Sequence, residues 1–155
     1  MRRAPFACAV ALLFLLPHRA VAQRPPGPFG VPRPADVRAA AVTDTALAYL
    51  LAGIKVLKDT SAAHMQVRVL GAWGGWAGLE CDCLLTNIYV VLNAGETERA
   101  VFKLSSLLDP RIERVATVDT VGVMIISYGL PEARHQVELR ALHDAVSGAF
   151  ALNPH

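Results

Sequence analysis

The sequence predicts an α+β domain, a predominantly antiparallel β-sheet of about five or six strands with an N-terminal helix packed on one face. Three observations carry that expectation. Two apolar runs, 84–92 (LLTNIYVVL) and 121–128 (VGVMIISY), are rich in β-branched and aromatic residues. Each ends at turn formers, Asn93-Ala94-Gly95 and Gly129-Leu130-Pro131, as buried strands do. The run 65–70 alternates with period two, which puts Met65, Val67 and Val69 on one face and Gln66 and Arg68 on the other. Within 37–58, Leu47, Leu50, Leu51, Ile54 and Leu57 recur at helical spacing in an alanine-rich stretch. A β-sandwich carrying that helix at its periphery is the second arrangement the pattern allows.

The first 22 residues read as a secretory signal peptide. They combine a basic start (Met1-Arg2-Arg3), an apolar run over 4–16 and the small-x-small site Ala20-Val21-Ala22, so cleavage is expected before Gln23. The run is shorter than the roughly 20 residues that span a bilayer. The expectation is a secreted or periplasmic protein with no stable membrane insertion after cleavage. The formal charge of the whole chain is +2; loss of Arg2, Arg3 and Arg19 leaves 12 basic against 13 acidic residues. No basic field then remains to attract nucleic acid. Arginine far exceeds lysine and alanine is abundant, a usage that fits a GC-rich bacterial genome.

Residues 23–35 hold five prolines and read as an extended linker to a single globular domain over 36–155. Asp36 is placed to cap the expected helix, and Lys55 and Lys58 fall in its last turn, where they complement the dipole. Gly53 inside that helix costs about 1 kcal/mol relative to alanine. A polar link over 59–63 leads to the strand at 65–70. Then 71–78 packs four glycines and both tryptophans into a stretch that reads as an irregular loop.

The short connection 93–95 favours a hairpin from the first apolar run back through 96–108. A second hairpin is expected from 112–118, a turn at Asp119-Thr120, and 121–128. The tail fits a strand over 134–141 followed by a short helix or irregular end; a helix through 132–150 is the competing template.

Two groups of residues are candidates for chemistry. Cys81 and Cys83 are the cysteines left after cleavage, and export favours their oxidation. In an extended strand their Cβ atoms stand about 7 Å apart, too far for a disulfide unless the backbone bends. A strained internal bridge, free thiols, an interchain bridge and metal binding therefore all stay open. Trp73 and Trp76 on a glycine-rich loop are the expected ligand-binding residues, since tryptophan is enriched among binding hot spots. No nucleophile elbow, zinc-protease motif, phosphate loop or dinucleotide fingerprint is present. His143-Asp144 is the nearest approach to a catalytic pair and is explained by solvated positions. No catalytic residue, metal ligand or cofactor is therefore assigned.

The expected function is an exported, non-catalytic domain that binds a protein partner or small ligand through Trp73 and Trp76. A thiol–disulfide redox protein using Cys81 and Cys83 is the second class. A small enzyme with a pocket between helix and sheet is the third.

Overall fold

The computed structural model describes residues 31–43, 54–76 and 84–155, which form two antiparallel sheets packed face to face. The first sheet contains β1 (Ala39–Val42), β2 (Lys55–Ala62), β3 (Met65–Trp76), β4 (Leu84–Ala94), β5 (Glu98–Leu104) and β6 (Leu107–Leu108). Its order is β1-β5-β4-β3-β2, with β6 pairing the start of β4. The second sheet contains β7 (Arg111–Val118), β8 (Val121–Leu130), β9 (Ala133–Asp144) and β10 (Ala149–Pro154), in the order β10-β9-β8-β7.

Alternation builds the core from both layers. Val67 and Val69 of β3, Ile88, Val90 and Leu92 of β4, and Phe102 and Leu104 of β5 face inward. They meet Met124, Ile126 and Tyr128 of β8, Val137, Leu139 and Ala141 of β9, and Leu152 of β10. Each fully buried side chain of this size contributes about 2 kcal/mol by leaving water, so the shared core holds the two layers together.

The outer face of the first sheet is polar along one line. Asp59 binds Gln66 and Arg68, Gln66 accepts from Asn93, and Arg99 donates to Asn93, crossing β2, β3, β4 and β5 in turn. A one-residue slip would exchange this ladder with the apolar inner face, so it helps to specify register.

The helix expected over 37–58 is overturned wherever those residues are described. Arg38 onward leads into β1, and 55–58 are strand. Asp36 ends a single 3-10 turn, Pro34–Asp36, instead of capping a helix. Leu47, Leu50, Leu51 and Gly53 lie outside the described residues. With the helix goes the α+β assignment: among the described residues, the second sheet covers the first.

The helical spacing of Ile54 and Leu57 has a local cause. The register between β2 and β3 shifts between Val56 and Lys58, so Leu57 is an inserted bulge residue. Ile54 packs on the outer-face cluster of Leu70, Val91 and Val101 while Leu57 packs on the inner core, so their three-residue spacing places them on opposite faces of a strand, not on one face of a helix. Lys58, opposite inward-facing Val69, reaches out to water at the sheet edge, as edge strands do to discourage pairing.

The polar link expected at 59–63 is mostly strand, closed by a two-residue turn at Ala63 and His64. Both have positive φ, 50° and 61°, the conformation that tight hairpins fill with Asn-Gly. Ala63 N–H donates to Thr117 Oγ1 at 2.8 Å and ties this turn to β7. Because His64 is exposed, its backbone strain can be relieved cheaply. His64→Gly is expected to raise stability by about 1 kcal/mol, read as a higher urea midpoint; an unchanged or lower midpoint would refute the strain argument.

The irregular loop expected at 71–78 is corrected as far as Trp76, where β3 ends; 77 and 78 lie outside the described residues. Gly74 sits in a bulge opposite β4, where an added Cβ would lie 3.0 Å from the Leu85 carbonyl oxygen. The glycine there serves close strand approach. Both hairpins, 84–104 and 111–130, have the expected partners. The tail is strand through Asp144, and its end is a further strand, β10, instead of a helix or irregular segment. Asp144 closes the β9–β10 turn by accepting from Val146 N–H and Ser147 Oγ, while Gly148 takes φ 67°.

The chain enters the domain across one end. Val31 and Val37 belong to the core, and Tyr128, itself fully buried, donates its hydroxyl to the Pro32 carbonyl at 3.0 Å. Arg38 and Ser105 then exchange backbone and side-chain hydrogen bonds that lead into the β1–β5 pair.

Candidate ligand groove

Between the layers, at the end where β2 starts and β8 finishes, the interior opens into a groove of about 670 Å³. That is within the range of small-molecule sites. One wall comes from the first sheet: Lys55 and Leu57 of β2, Gly71 to Trp73 of β3, and Leu84 to Thr86 of β4. Leu108 of β6 adds to that wall, and the other comes from Asp109 and Pro110 before β7 and from Gly129, Leu130 and Pro131 at the end of β8.

The strand period explains how these residues reach one place. Gly71 and Trp73 share the inward parity of Val67 and Val69, but the core stops short of them. Gly71 leaves the floor low, since a Cβ there would meet Leu57 Cδ1 at 3.0 Å and Thr86 Cγ2 at 3.2 Å. Trp73 follows at the rim and is 70% exposed. Leu57 packs inward against the core, and Leu84 is exposed at the edge. Exposed tryptophan beside exposed leucine is apolar surface without a partner among the described residues.

The opposite wall is held by Arg134. Asp109 has φ 39°, an unusual backbone for any residue other than glycine. Arg134 on β9 binds its carboxylate at 2.8 Å and its carbonyl at 2.7 Å, and reaches the Gly129 and Ser127 carbonyls as well. One guanidinium thus fixes both segments of that wall. Arg111 adds a second, more exposed contact to Asp109 at 3.3 Å. The groove's one carboxylate is therefore neutralised.

The same arginine covers Ser127, whose hydroxyl donates to Glu113 and accepts from Arg134 at 3.2 Å. A serine beside a carboxylate invites a nucleophilic reading, but Ser127 is 2% exposed, on the outer face of the second sheet. It is a clamp: no substrate carbonyl can approach it. His143 and Asp144, adjacent in sequence, part company in space. His143 Nε2 lies 2.8 Å from Glu98 Oε2, out of line for a hydrogen bond, and its ring packs on Phe150. Asp144 faces the turn it closes, whose donors hold its carboxyl below the usual range.

Of the residues expected to form a site, Trp73 lies on the groove. Trp76 is in β3 opposite Leu84, with its side chain outside the description. Cys81 and Cys83 lie outside the described residues. The pocket expected between helix and sheet lacks its helix among the described residues, and the opening lies between two sheets. Among those residues no group of three or more His, Cys, Asp or Glu comes together as a metal site would require. Lys55, Leu57 and the segments 108–110 and 129–131 were not legible as site residues. Their only signals were the turn formers Asp109-Pro110 and Gly129-Leu130-Pro131, which mark strand ends without saying what the ends face.

No protein-family model, curated protein or solved structure matches the chain.

Proposed function

We propose that the protein is a non-catalytic binding module that takes an elongated apolar ligand into the groove between its sheets. The observation that carries this reading is Trp73, 70% exposed on the rim of an opening lined by leucines and prolines. Burying that surface against a ligand is favourable at about 25 cal/mol per Å², whereas a catalytic site needs reactive polar groups converging on its cavity. Here the polar lining is Lys55, Thr86 and an Asp109 already engaged by two arginines.

The test uses N-phenyl-1-naphthylamine, a neutral apolar dye whose emission rises when it leaves water. Saturable binding with one dye per chain is expected. Trp73→Ala and Leu84→Asp, both at exposed positions, are each expected to weaken it about tenfold while leaving the thermal midpoint nearly unchanged. Absence of saturable binding, or equal affinity in both variants, would refute the proposal.

A further inference from the structure

We infer that the ligand is a single-chain fatty carboxylate, with its hydrocarbon chain along the leucine-lined floor and its head group at Lys55. This inference rests on the binding reading above and adds the chemistry of the occupant.

Three features of the groove select that chemistry. Its neutral lining is aliphatic, proline or glycine apart from Trp73 and Thr86, so an occupant finds few side-chain hydrogen-bond partners there. A peptide brings an N–H and a C=O with every residue and leaves them costly if unmet, whereas a methylene chain brings none. The two side chains with buried, unpartnered polar atoms among the described residues, Arg134 and His143, do not line the groove.

The charge is also specific. Lys55 and Asp109 are the charged residues of the lining. Asp109 is held by Arg134 and Arg111, while Lys55 has no carboxylate within ion-pair distance among the described residues. Among the described residues the open charge on the groove is thus one ammonium, at the exposed first position of β2. One ammonium matches one carboxylate. A phospholipid surface is ordinarily drawn by clusters of several lysines and arginines, and this lining offers a single one.

The experiment compares monomeric dodecanoate with dodecanol, which carries the same chain without the charge, by displacement of the naphthylamine dye from the full chain. Dodecanoate is expected to bind about fivefold more tightly, the ratio an ion pair at a solvent-exposed rim supports. Lys55→Met is expected to abolish the preference by weakening dodecanoate alone, and Lys55→Arg to preserve it. Lengthening the carboxylate by one methylene is expected to tighten binding up to about fourfold until the groove is filled.

Equal binding of acid and alcohol, or a preference that survives Lys55→Met, would overturn the head-group assignment and leave the groove standing. Displacement of the dye by neither compound would overturn the amphiphile while the dye still reports the groove. Binding only to vesicles of anionic phospholipid, with none to monomeric dodecanoate, would also overturn it. Failure of the dye itself to bind sinks the groove reading, and this inference with it.

Discussion

Gly129→Ala is expected to destabilise the protein by about 3 kcal/mol, a large loss for one methyl group. Gly129 has φ 114°, a backbone region that L side chains rarely adopt, and an added Cβ would lie 2.6 Å from the Ala133 carbonyl oxygen. The contact is to backbone in the tight connection between β8 and β9, so no flexible side chain can yield. Gly122 supplies the control. It lies on the same strand, and a Cβ there would make ordinary contact, 3.5 Å from Ala141 Cβ. Gly122→Ala is therefore expected to change stability by less than about 1 kcal/mol. Urea titration of the two variants decides the matter; similar midpoints would show that the β8–β9 connection can relax. Because 129–131 also line the groove, Gly129→Ala should reduce dye binding, and Gly122→Ala should not.

Alkaline pH is expected to unfold the protein through Tyr128. Burial, and secondarily the charge of Asp36, push its phenol up from 10.0 to about 12. A raised folded-state value means that the native state holds the proton more tightly than the unfolded chain. The associated stability is complete below about pH 10 and is lost as pH rises from about 10 to about 12. A shift of that size corresponds to about 3 kcal/mol. Tyr128→Phe should remove this sensitivity. Its own cost is about 1 kcal/mol, because the Pro32 carbonyl loses its donor while the ring still fills its place. Stability measured against pH in both proteins, with tyrosinate absorbance followed in parallel, tests the assignment. Identical pH profiles would exclude Tyr128 as the responsible group.

The strands were legible where the two-residue period ran unbroken. Met65, Val67 and Val69 are buried while Gln66 is exposed, and both apolar runs form central strands. Bulges and glycines hid the rest. At β2 two apolar residues on opposite faces of the strand, Ile54 and Leu57, imitated the three-residue step of a helix, and alanine with leucine supplied matching propensity; sheet pairing overrode both. At β3 the glycines suggested a loop, although Gly71 and Gly74 meet a neighbouring side chain and a neighbouring backbone. In the tail, Gly148 weakened a helical template and in fact forms the turn into β10.

Of the candidate site, Trp73 was legible as a binding residue in the sequence. Trp73 stood out because a tryptophan amid glycines has no obvious burial partner. The facing wall did not, because Asp109, Gly129 and Arg134 are brought together only by pairing across β8 and β9 and by the return of the chain after β6. Lys55 was read as a helix C-terminal charge, a role that disappeared with the helix.

The bulge in β2 has a counterpart in β7, where the register shifts between Ile112 and Arg114. These two flanking strands run side by side from the mouth of the groove to the Ala63–Thr117 contact at its far end. Each carries its one supernumerary residue near the mouth, where extra twist turns neighbouring edges away from each other. On the β2 side the bulge residue, Leu57, is itself part of the lining, so backbone length as well as side-chain size shapes that margin. Trimming or enlarging a lining residue alters how well an occupant fits, whereas excising Leu57 would move Lys55 and the start of β2 by one residue against β3 and so displace a whole margin of the opening.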